Sequence, residues 1–219
     1  MHVGFIMDGN RRWAKKESFM TYFGHTAGGE NLEKILEICP KFGIDTVTIY
    51  ALSSENLQNR SKPELTALMT LLKYMAESKK EKLFEGGVRV KVAGDISNFP
   101  KSTAKALQEL ENHTKDCSNS LLQICVNYGG RQEIIQAVKQ TLANKEEISE
   151  ESIDKNLQVK GYPDLIIRTG GRQRLSNFLL WQSAYCELYF SDKLWPEFDE
   201  TELAKAVSFF NDQERNFGK

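Results

Sequence analysis

Cysteine is scarce in this sequence, and its few cysteines lie far apart. The four, Cys39, Cys117, Cys125 and Cys186, form no CxxC pair and show no spacing typical of a metal site. A zinc centre or a disulfide framework is therefore disfavoured. We expect reduced thiols in a cytoplasmic protein.

Long hydrophobic runs and an excess of one charge are also absent. The first apolar run, residues 2–7, is too short for a signal peptide, and no stretch approaches a transmembrane span. The 29 Lys and Arg residues balance 30 Asp and Glu residues, which gives a net charge of −1. Since general nucleic-acid binders are basic, we predict a protein with neither a transmembrane segment nor a nucleic-acid partner.

Two common nucleotide-binding motifs are missing as well. Without a GxxxxGK[ST] loop an ordinary kinase or ATPase is disfavoured, and without GxGxxG so is a dinucleotide cofactor. The sequence contains no internal repeat, low-complexity segment or linker. Residues 1–219 are therefore expected to form a single domain.

Short apolar segments alternate with stretches of helical periodicity. This alternation is typical of βαβ units and predicts an α/β fold with a mostly parallel, six-stranded sheet. We expect strands at residues 2–7, 45–52, 88–93, 121–126, 164–167 and 187–190. We expect helices at residues 30–42, 63–85, 99–116, 131–143 and 200–211, and another that begins at 177–181.

Polar residues and glycines follow several of the predicted strands. They occupy residues 8–10, 53–56, 127–130 and 168–171. Ligands of parallel sheets bind beyond the carboxyl ends of the strands, so these segments mark the expected site.

The first of these segments has the residues of an anion site. Gly9 allows close approach of the backbone, the start of a helix offers free N–H groups, and Arg11 and Arg12 offer planar donors to phosphate. Asp8 would repel a bare phosphate, so its place among cations indicates a bridging divalent metal. The alternative is an ordinary strand–turn–helix with solvated arginines.

A second glycine turn lined with guanidinium groups predicts a second anion pocket, and hence two phosphorylated substrates. Its residues are Arg168, Gly170, Gly171, Arg172, Arg174 and Ser176. His25 is either a phosphate donor or a structural residue. Ser53 and Asn56 are either strand-end caps or donors to a substrate.

Seven separated segments, taken in order, resemble the motif set of the cis-prenyltransferases and in particular the bacterial undecaprenyl diphosphate synthases. They are HVGFIMDGNRRWAKK at 2–16, FGH at 23–25 with Gly28, SSEN at 53–56, NYGGR at 127–131, IRTGG at 167–171, RLSNFLLWQ at 174–182 and ELYF at 187–190. The resemblance covers nearly the whole chain. Several motifs in one order are more specific than any single motif.

The resemblance implies Mg²⁺-dependent condensation of isopentenyl diphosphate onto an allylic diphosphate, with each new double bond cis. Farnesyl diphosphate is the expected primer, and undecaprenyl diphosphate, the cell-wall lipid carrier, is the expected product. It further implies a homodimer, helices around the sheet, and peripheral membrane contact through the lipid product. The apolar face at Leu65, Leu68, Met69 and Leu72 then serves both as core and as wall of a hydrocarbon cavity.

The resemblance also assigns roles to individual residues. Asp8 matches an essential metal-linked aspartate, Glu187 a second metal ligand from the neighbouring subunit, and Asn56 a position proposed to help remove a proton. The allylic diphosphate pocket corresponds to Gly9, Asn10, Arg11, Arg12, Trp13 and His25. The loop near the reacting carbons corresponds to Ser53, Ser54 and Glu55, with Arg60 as a substrate contact, and the isopentenyl diphosphate pocket to Arg168, Arg174, Leu175 and Ser176. The basic tail at 215–218 is expected to reach the partner's diphosphate pocket.

The sequence departs from the family pattern at four places. Thr21 stands where an arginine is usual, so one phosphate contact is missing, and Leu57 replaces a tryptophan. The segment before Arg60 is one residue longer, which weakens that assignment. Arg172 replaces a glutamate and makes its pocket more cationic.

Two alternative functions remain. A non-catalytic subunit of a heteromeric prenyltransferase is disfavoured because the expected aspartate and arginines are present. A metal-dependent phosphatase using Asp8 is disfavoured because no second acidic cluster lies near Asp8. Product length depends on the depth of the cavity, a property of the packed fold.

Overall fold

The computed structural model describes residues 1–214, which build one parallel sheet covered by helices on both faces. Its strands are β1 (His2–Ile6), β2 (Thr46–Ser53), β3 (Val88–Ala93), β4 (Ser120–Tyr128), β5 (Leu165–Arg168) and β6 (Glu187–Phe190). Their order is β3-β4-β2-β1-β5-β6, and every described pairing is parallel. The predicted α/β fold with a six-stranded sheet is confirmed. The tail at 215–218 lies outside the described residues.

Nine α-helices occur within residues 1–214. They are α1 (Asn10–Lys16), α2 (Thr21–Ile38), α3 (Ser54–Asn59), α4 (Lys62–Ser78), α5 (Lys80–Glu85), α6 (Lys101–His113), α7 (Gly130–Ala143), α8 (Glu150–Asn156) and α9 (Glu200–Asn211). Short 3₁₀ turns lie at Cys39–Phe42 and Trp195–Glu197. None of these helices combines the length and the apolar character needed to cross a bilayer.

Alternate residues of the central strands enter two different cores. Val3 and Phe5 of β1 are fully buried in the larger core, which also holds residues of α2, α4, α6 and α9. Ile6 and Ile166 instead pack with Phe178 on the opposite face. Because side chains of a strand point alternately to its two faces, both faces of the sheet are covered.

The helix predicted at residues 30–42 begins earlier than expected, at Thr21. Glycines at 24, 28 and 29 lower helix propensity, so local sequence does not favour a helix there. Packing overrides the propensity. A Cβ on Gly24 would lie 2.1 Å from the carbonyl oxygen of Asn10, so the glycines let α1 sit directly against α2.

Two further predictions about helices were wrong. The single helix predicted at 63–85 is two helices, because α4 ends at Ser78 and α5 begins at Lys80. No helix begins at 177–181, where the chain makes turns. Ser176, Asn177 and Leu179 have φ values of 50°, 66° and 45°, and such left-handed residues are incompatible with a right-handed α-helix.

Candidate active site

Asp8 and Arg168 meet at the carboxyl edge of the sheet. Arg168 is the last residue of β5 and pairs with Ile6 in the neighbouring strand β1, which Asp8 follows closely. Oδ2 of Asp8 accepts a bond of 2.9 Å from Nη2 of Arg168, and Oδ1 accepts one of 3.1 Å from Nη2 of Arg12. The carboxylate is therefore held between two guanidinium groups and is still 30% exposed.

Arg168 connects Asp8 to the second predicted anion segment. Its side chain is only 5% exposed. Its Nη1 donates to the carbonyl oxygen of Arg174 at 2.6 Å and to Oγ of Ser176 at 2.7 Å. Its buried Nε has no partner among residues 1–214. The two anion segments predicted from the sequence thus form one continuous cationic edge, with Asp8 between them.

The backbone around Asp8 is fixed by contacts from three directions. Oγ1 of Thr169 and the backbone N–H of Trp195 both donate to the carbonyl oxygen of Asp8, at 2.7 and 3.1 Å. Arg12 also donates to the carbonyl oxygen of Gly170, at 2.7 Å. The Asp8 carboxylate is therefore presented from a rigid backbone.

The loop after β2 is tied to the cationic edge through Asn177. Nδ2 of Asn177 donates to Oε1 of Glu55 at 2.8 Å, and its Oδ1 accepts from the backbone of Arg131 at 3.0 Å. Ser54 donates to Gln132 at 2.9 Å. Three strand-end segments are thus linked by side chains.

Ser53 acts as a helix cap, which is one of the two alternatives that its sequence position left open. Its Oγ accepts the backbone N–H of Asn56 at 3.0 Å and so caps α3. The Asn56 side chain, by contrast, has no hydrogen-bond partner within residues 1–214.

His25 and Arg60 belong to a partly buried charged cluster beside this edge. Nη1 of Arg60 donates to Oε1 of Glu64 at 2.9 Å and lies 3.3 Å from Nε2 of His25. Burial and the nearby Arg60 guanidinium lower the pKa of His25 from 6.5 to about 4, against the opposing charge of Glu64. The imidazole is consequently neutral at pH 7 and offers hydrogen bonds without a charge.

An apolar cavity of about 730 Å³ opens next to the same edge. Met7, Asn10 and His25 line its near end. Its walls are apolar residues of α2, α4 and the sheet, among them Leu32, Leu36, Ile49, Leu68, Leu72 and Met75. Leu68 and Leu72 of the predicted apolar face therefore line the cavity, while Met69 is buried in the core.

The remaining predicted site residues differ in their surroundings. Arg11 and Arg174 are exposed, Leu175 is half-buried, and the Trp13 ring packs 6.0 Å from that of Phe19. Gly9 has φ 117° and precedes α1. A Cβ at Gly9 would lie 2.9 Å from Leu194, so this position needs glycine for space as well as conformation.

Glu187 lies at the opposite edge of the sheet from Asp8. Leu165 pairs with Val3 on one side and with Glu187 on the other. Glu187 is therefore level with Val3, which lies three residues before Ile6. Three residues of a strand span about 10 Å, so Glu187 lies about 10 Å from Ile6 along the strand direction. The structure does not bring Asp8 and Glu187 of one chain together.

Sequence reasoning gave no role to Asn177, Glu64 or Thr169, which hold the site in place. Asn177 lies within a motif of the family pattern, but only its left-handed backbone and its bond to Glu55 reveal its role. Thr169 follows Arg168 directly, which was a usable signal. Glu64 lies four residues after Arg60 and pairs with it, but Arg60 is the extended residue between α3 and α4, so helical spacing in the sequence did not reveal the pair.

Comparisons with known proteins agree with this geometry. A family model described as putative undecaprenyl diphosphate synthase matches residues 6–218. An isoprenyl transferase of Fusobacterium nucleatum is 44% identical over 99% of this chain and 95% of its own length. A ditrans,polycis-undecaprenyl-diphosphate synthase of Haemophilus influenzae is described as specific for (2E,6E)-farnesyl diphosphate. It is 41% identical over 99% of this chain and 94% of its own length.

The fold is also similar to that of a solved plant enzyme. This structure is a lavandulyl diphosphate synthase from Lavandula x intermedia in complex with dimethylallyl diphosphate. The TM-score is 0.94 at 33% sequence identity, and the match covers 100% of this chain and 98% of that one.

Proposed function

Because this chain belongs to the undecaprenyl diphosphate synthase family of prenyltransferases, we propose that it condenses isopentenyl diphosphate onto an allylic diphosphate. The observation that carries the proposal is the apolar cavity of about 730 Å³ beside the cluster of Asp8, Arg12 and Arg168. A cationic edge next to an apolar cavity suits a substrate with an anionic head and a hydrocarbon tail.

The arginines bind the heads of the two substrates. Arg12 serves the allylic diphosphate together with Gly9, Asn10, Arg11, Trp13 and His25, while Arg168, Arg174, Leu175 and Ser176 serve isopentenyl diphosphate. Charge-assisted hydrogen bonds to phosphate are among the stronger polar contacts. As the allylic C–O bond breaks, negative charge grows on the leaving diphosphate, and guanidinium groups fixed beforehand stabilise it.

The loop after β2 serves the reacting carbons. The new carbon–carbon bond leaves a cation that must lose a proton, and the proposed role of Asn56 is to help that proton depart. The unpartnered Asn56 side chain is free to contact substrate, whereas Ser53, Ser54 and Glu55 are held by hydrogen bonds and give the loop its shape. Arg60, held by Glu64, adds a contact to the substrate.

The residues at the edge fit a magnesium ion that arrives with its substrate. No group of three or more His, Cys, Asp or Glu side chains within residues 1–214 forms a complete metal cage. Mg²⁺ usually binds through one or two carboxylates plus substrate phosphates, and Asp8 offers one partly exposed carboxylate. We propose that Asp8, and Glu187 of a second copy of the chain, hold Mg²⁺, which would neutralise charge on the leaving diphosphate.

Farnesyl diphosphate is the proposed primer and undecaprenyl diphosphate the proposed product, formed for the cell-wall lipid carrier. The Haemophilus influenzae relative supports this primer by its described specificity. The plant enzyme of similar fold holds dimethylallyl diphosphate, which suggests a short product instead. The cavity favours the long product, because it continues far beyond the space beside Asp8.

A homodimer is the proposed assembly. Several large apolar side chains around α7 and β6 are exposed, namely Ile135, Leu142, Ile148, Tyr185 and Leu188. Where exposed apolar side chains form a contiguous patch, the patch is typical of a subunit interface. Glu187 and Leu188 are neighbours in β6, which is an edge strand, so a partner that packs on this edge of the sheet would also receive the Glu187 carboxylate.

Peripheral membrane contact through the lipid product is also proposed. Phe19, Met20, Tyr22 and Phe23 are exposed next to the basic helix α1. Aromatic groups beside basic residues suit the interface of a membrane.

One incubation separates the proposed activity from its alternatives. Purified protein is incubated with Mg²⁺, farnesyl diphosphate and radiolabelled isopentenyl diphosphate, and the products are separated by chain length. Extension supports the prenyltransferase. Absence of turnover would support a non-catalytic partner subunit, and free phosphate without extension would support a phosphatase.

A further inference from the structure

The apolar cavity crosses the sheet from one edge to the other. Its near end lies at Met7 and His25, beside the carboxyl ends of the strands. Its lining also includes Asp45, Val88 and Ser120, which stand at or just before the starts of β2, β3 and β4. Since these strands are parallel, their starts mark the opposite edge of the sheet. The hydrocarbon of a product that grows away from Asp8 is therefore directed toward this far end.

Besides Asp45, which pairs with the N-terminus, four charged side chains stand at the far end, and we call these four the far-end cluster. They are Glu33 and Glu37 of α2, Lys79 in the break between α4 and α5, and Lys82 of α5, and all four line the cavity. Nζ of Lys82 lies 2.6 Å from Oε1 of Glu33 and 2.5 Å from Oε1 of Glu37. Nζ of Lys79 lies 2.7 Å from Oε2 of Glu33.

The far-end cluster ties two walls of the cavity together. Glu33 and Glu37 belong to one wall, and the two lysines belong to the helices opposite. The break at Lys79, which separates α4 from α5, is what brings both lysines toward α2. Four charged side chains are thus gathered in one part of a lining that is otherwise mostly apolar.

We infer that the far-end cluster closes the cavity to the growing hydrocarbon and thereby limits the length of the product. This inference rests on the proposed function. Before it reaches the cluster, each added unit is buried against apolar side chains, which favours extension. At the cluster, further growth must separate paired charges or push the hydrocarbon into water, and both are unfavourable.

A purely structural role makes a different prediction. Ion pairs exposed at the surface contribute little to stability, and the side chains of Lys82 and Glu37 are each 55% exposed. If these pairs only join α2 to α5, their removal lowers the unfolding temperature slightly and leaves product length unchanged. Product length therefore distinguishes a closure from a simple surface contact.

The decisive variants are Lys82→Met and Lys82→Arg. Methionine keeps an unbranched apolar side chain without the charge, whereas arginine keeps the charge. Lys155→Met is the matched control, because Lys155 also pairs at 2.6 Å, with Glu146, but does not line the cavity. Glu33→Gln tests the acidic side independently, since it weakens the bonds to both lysines.

Each protein is incubated with Mg²⁺, farnesyl diphosphate and excess isopentenyl diphosphate, and the product lipids are analysed by mass spectrometry. Lys82→Met and Glu33→Gln are expected to shift the main product upward by at least one five-carbon unit. Lys82→Arg and Lys155→Met are expected to match wild type. An unchanged or shorter product from both Lys82→Met and Glu33→Gln would overturn the inference.

Failure of the proposed function gives a separate result. In that case the wild-type protein itself makes no extended product, and the inference falls with it. With extension by wild type and equal product lengths in all variants, the proposed function stands and only the closure is refuted.

Discussion

Asp8 shows how much one side chain depends on its neighbours. Its two carboxylate oxygens accept from different arginines, Arg12 and Arg168, which come from sequence segments more than a hundred residues apart. Arg168 is almost fully buried, so its positive charge relies on this carboxylate. Loss of Asp8 therefore affects both the proposed metal site and the placement of Arg168.

Asp8→Ala is expected to cut turnover by orders of magnitude while the protein still folds. The loss in rate follows from the missing metal ligand, since metal assistance is worth several kcal/mol. The free energy of unfolding should fall by about 2 kcal/mol because Arg168 loses a charged hydrogen bond. Steady-state assays and urea denaturation measure the two effects. Retention of more than about a tenth of the wild-type rate would refute the role of Asp8.

Arg174 and Arg168 offer a matched pair of variants. The Arg174 side chain is exposed, whereas Arg168 bonds Asp8, Ser176 and the Arg174 carbonyl. Both alanine variants should raise the Michaelis constant for isopentenyl diphosphate about tenfold or more, as expected for one charged hydrogen bond. Only Arg168→Ala should also lower the unfolding temperature.

Arg12→Ala completes this comparison. The substitution is expected to raise the Michaelis constant for the allylic substrate or to lower turnover, because Arg12 lies on the other side of Asp8 from Arg168. Michaelis constants measured for each substrate test the assignment. If all three variants changed the Michaelis constants of both substrates equally, the two pockets would not be distinct.

Helices α1 and α2 are positioned by glycine. A Cβ on Gly28 would lie 2.5 Å from Oδ1 of Asn10, and one on Gly24 would lie even closer to the backbone of Asn10. The close contact places α1, and with it Arg12, over the carboxyl edge of the sheet. Helix packing thus controls the position of a proposed substrate-binding arginine.

Gly24→Ala is expected to destabilise the protein despite the higher helix propensity of alanine. The gain in propensity is about 1 kcal/mol, but displacing α1 to relieve the clash costs about 1–3 kcal/mol or more. Gly29→Ala is the control, because its Cβ would meet only Met75, at an ordinary 3.5 Å. Urea denaturation should show lower stability for Gly24→Ala and equal or higher stability for Gly29→Ala. The opposite order would contradict the packing argument.

The arrangement of the sheet separates the two proposed metal ligands of one chain. Asp8 follows the end of β1, whereas Glu187 begins β6, at the other edge. If Glu187 contributes to the metal site, it must do so across a subunit interface. The proposed dimer and the proposed metal site are therefore one hypothesis with one test.

Mixing Asp8→Ala and Glu187→Ala subunits tests this hypothesis. A heterodimer would have one site with both defects and one with neither, so its activity should return toward half of the wild-type value. Each homodimer alone should be inactive. Absence of recovery, with subunit exchange verified by native mass spectrometry, would refute the shared site without affecting the family assignment.

Local patterns in the sequence predicted much of the fold and the parts of the candidate site. Short apolar segments located the strands, and polar segments at their ends located Asp8, residues 53–56 and Arg168. These inferences succeed because strand periodicity and strand-end chemistry depend on residues close together in the chain. The family resemblance added roles to these residues, which remain proposals.

Contacts between distant residues required the folded chain. The glycines of α2 do not favour a helix locally, and the helix predicted at 30–42 starts at Thr21 because α1 packs Asn10 against them. Residues 177–181 suggested a helix, although Asn177 is left-handed and bonds Glu55. Lys82 and Glu33 lie 49 residues apart and meet only because α5 turns back toward α2. Local propensity carries no information about such approaches, because each arises from two elements packing together and from the space left between them.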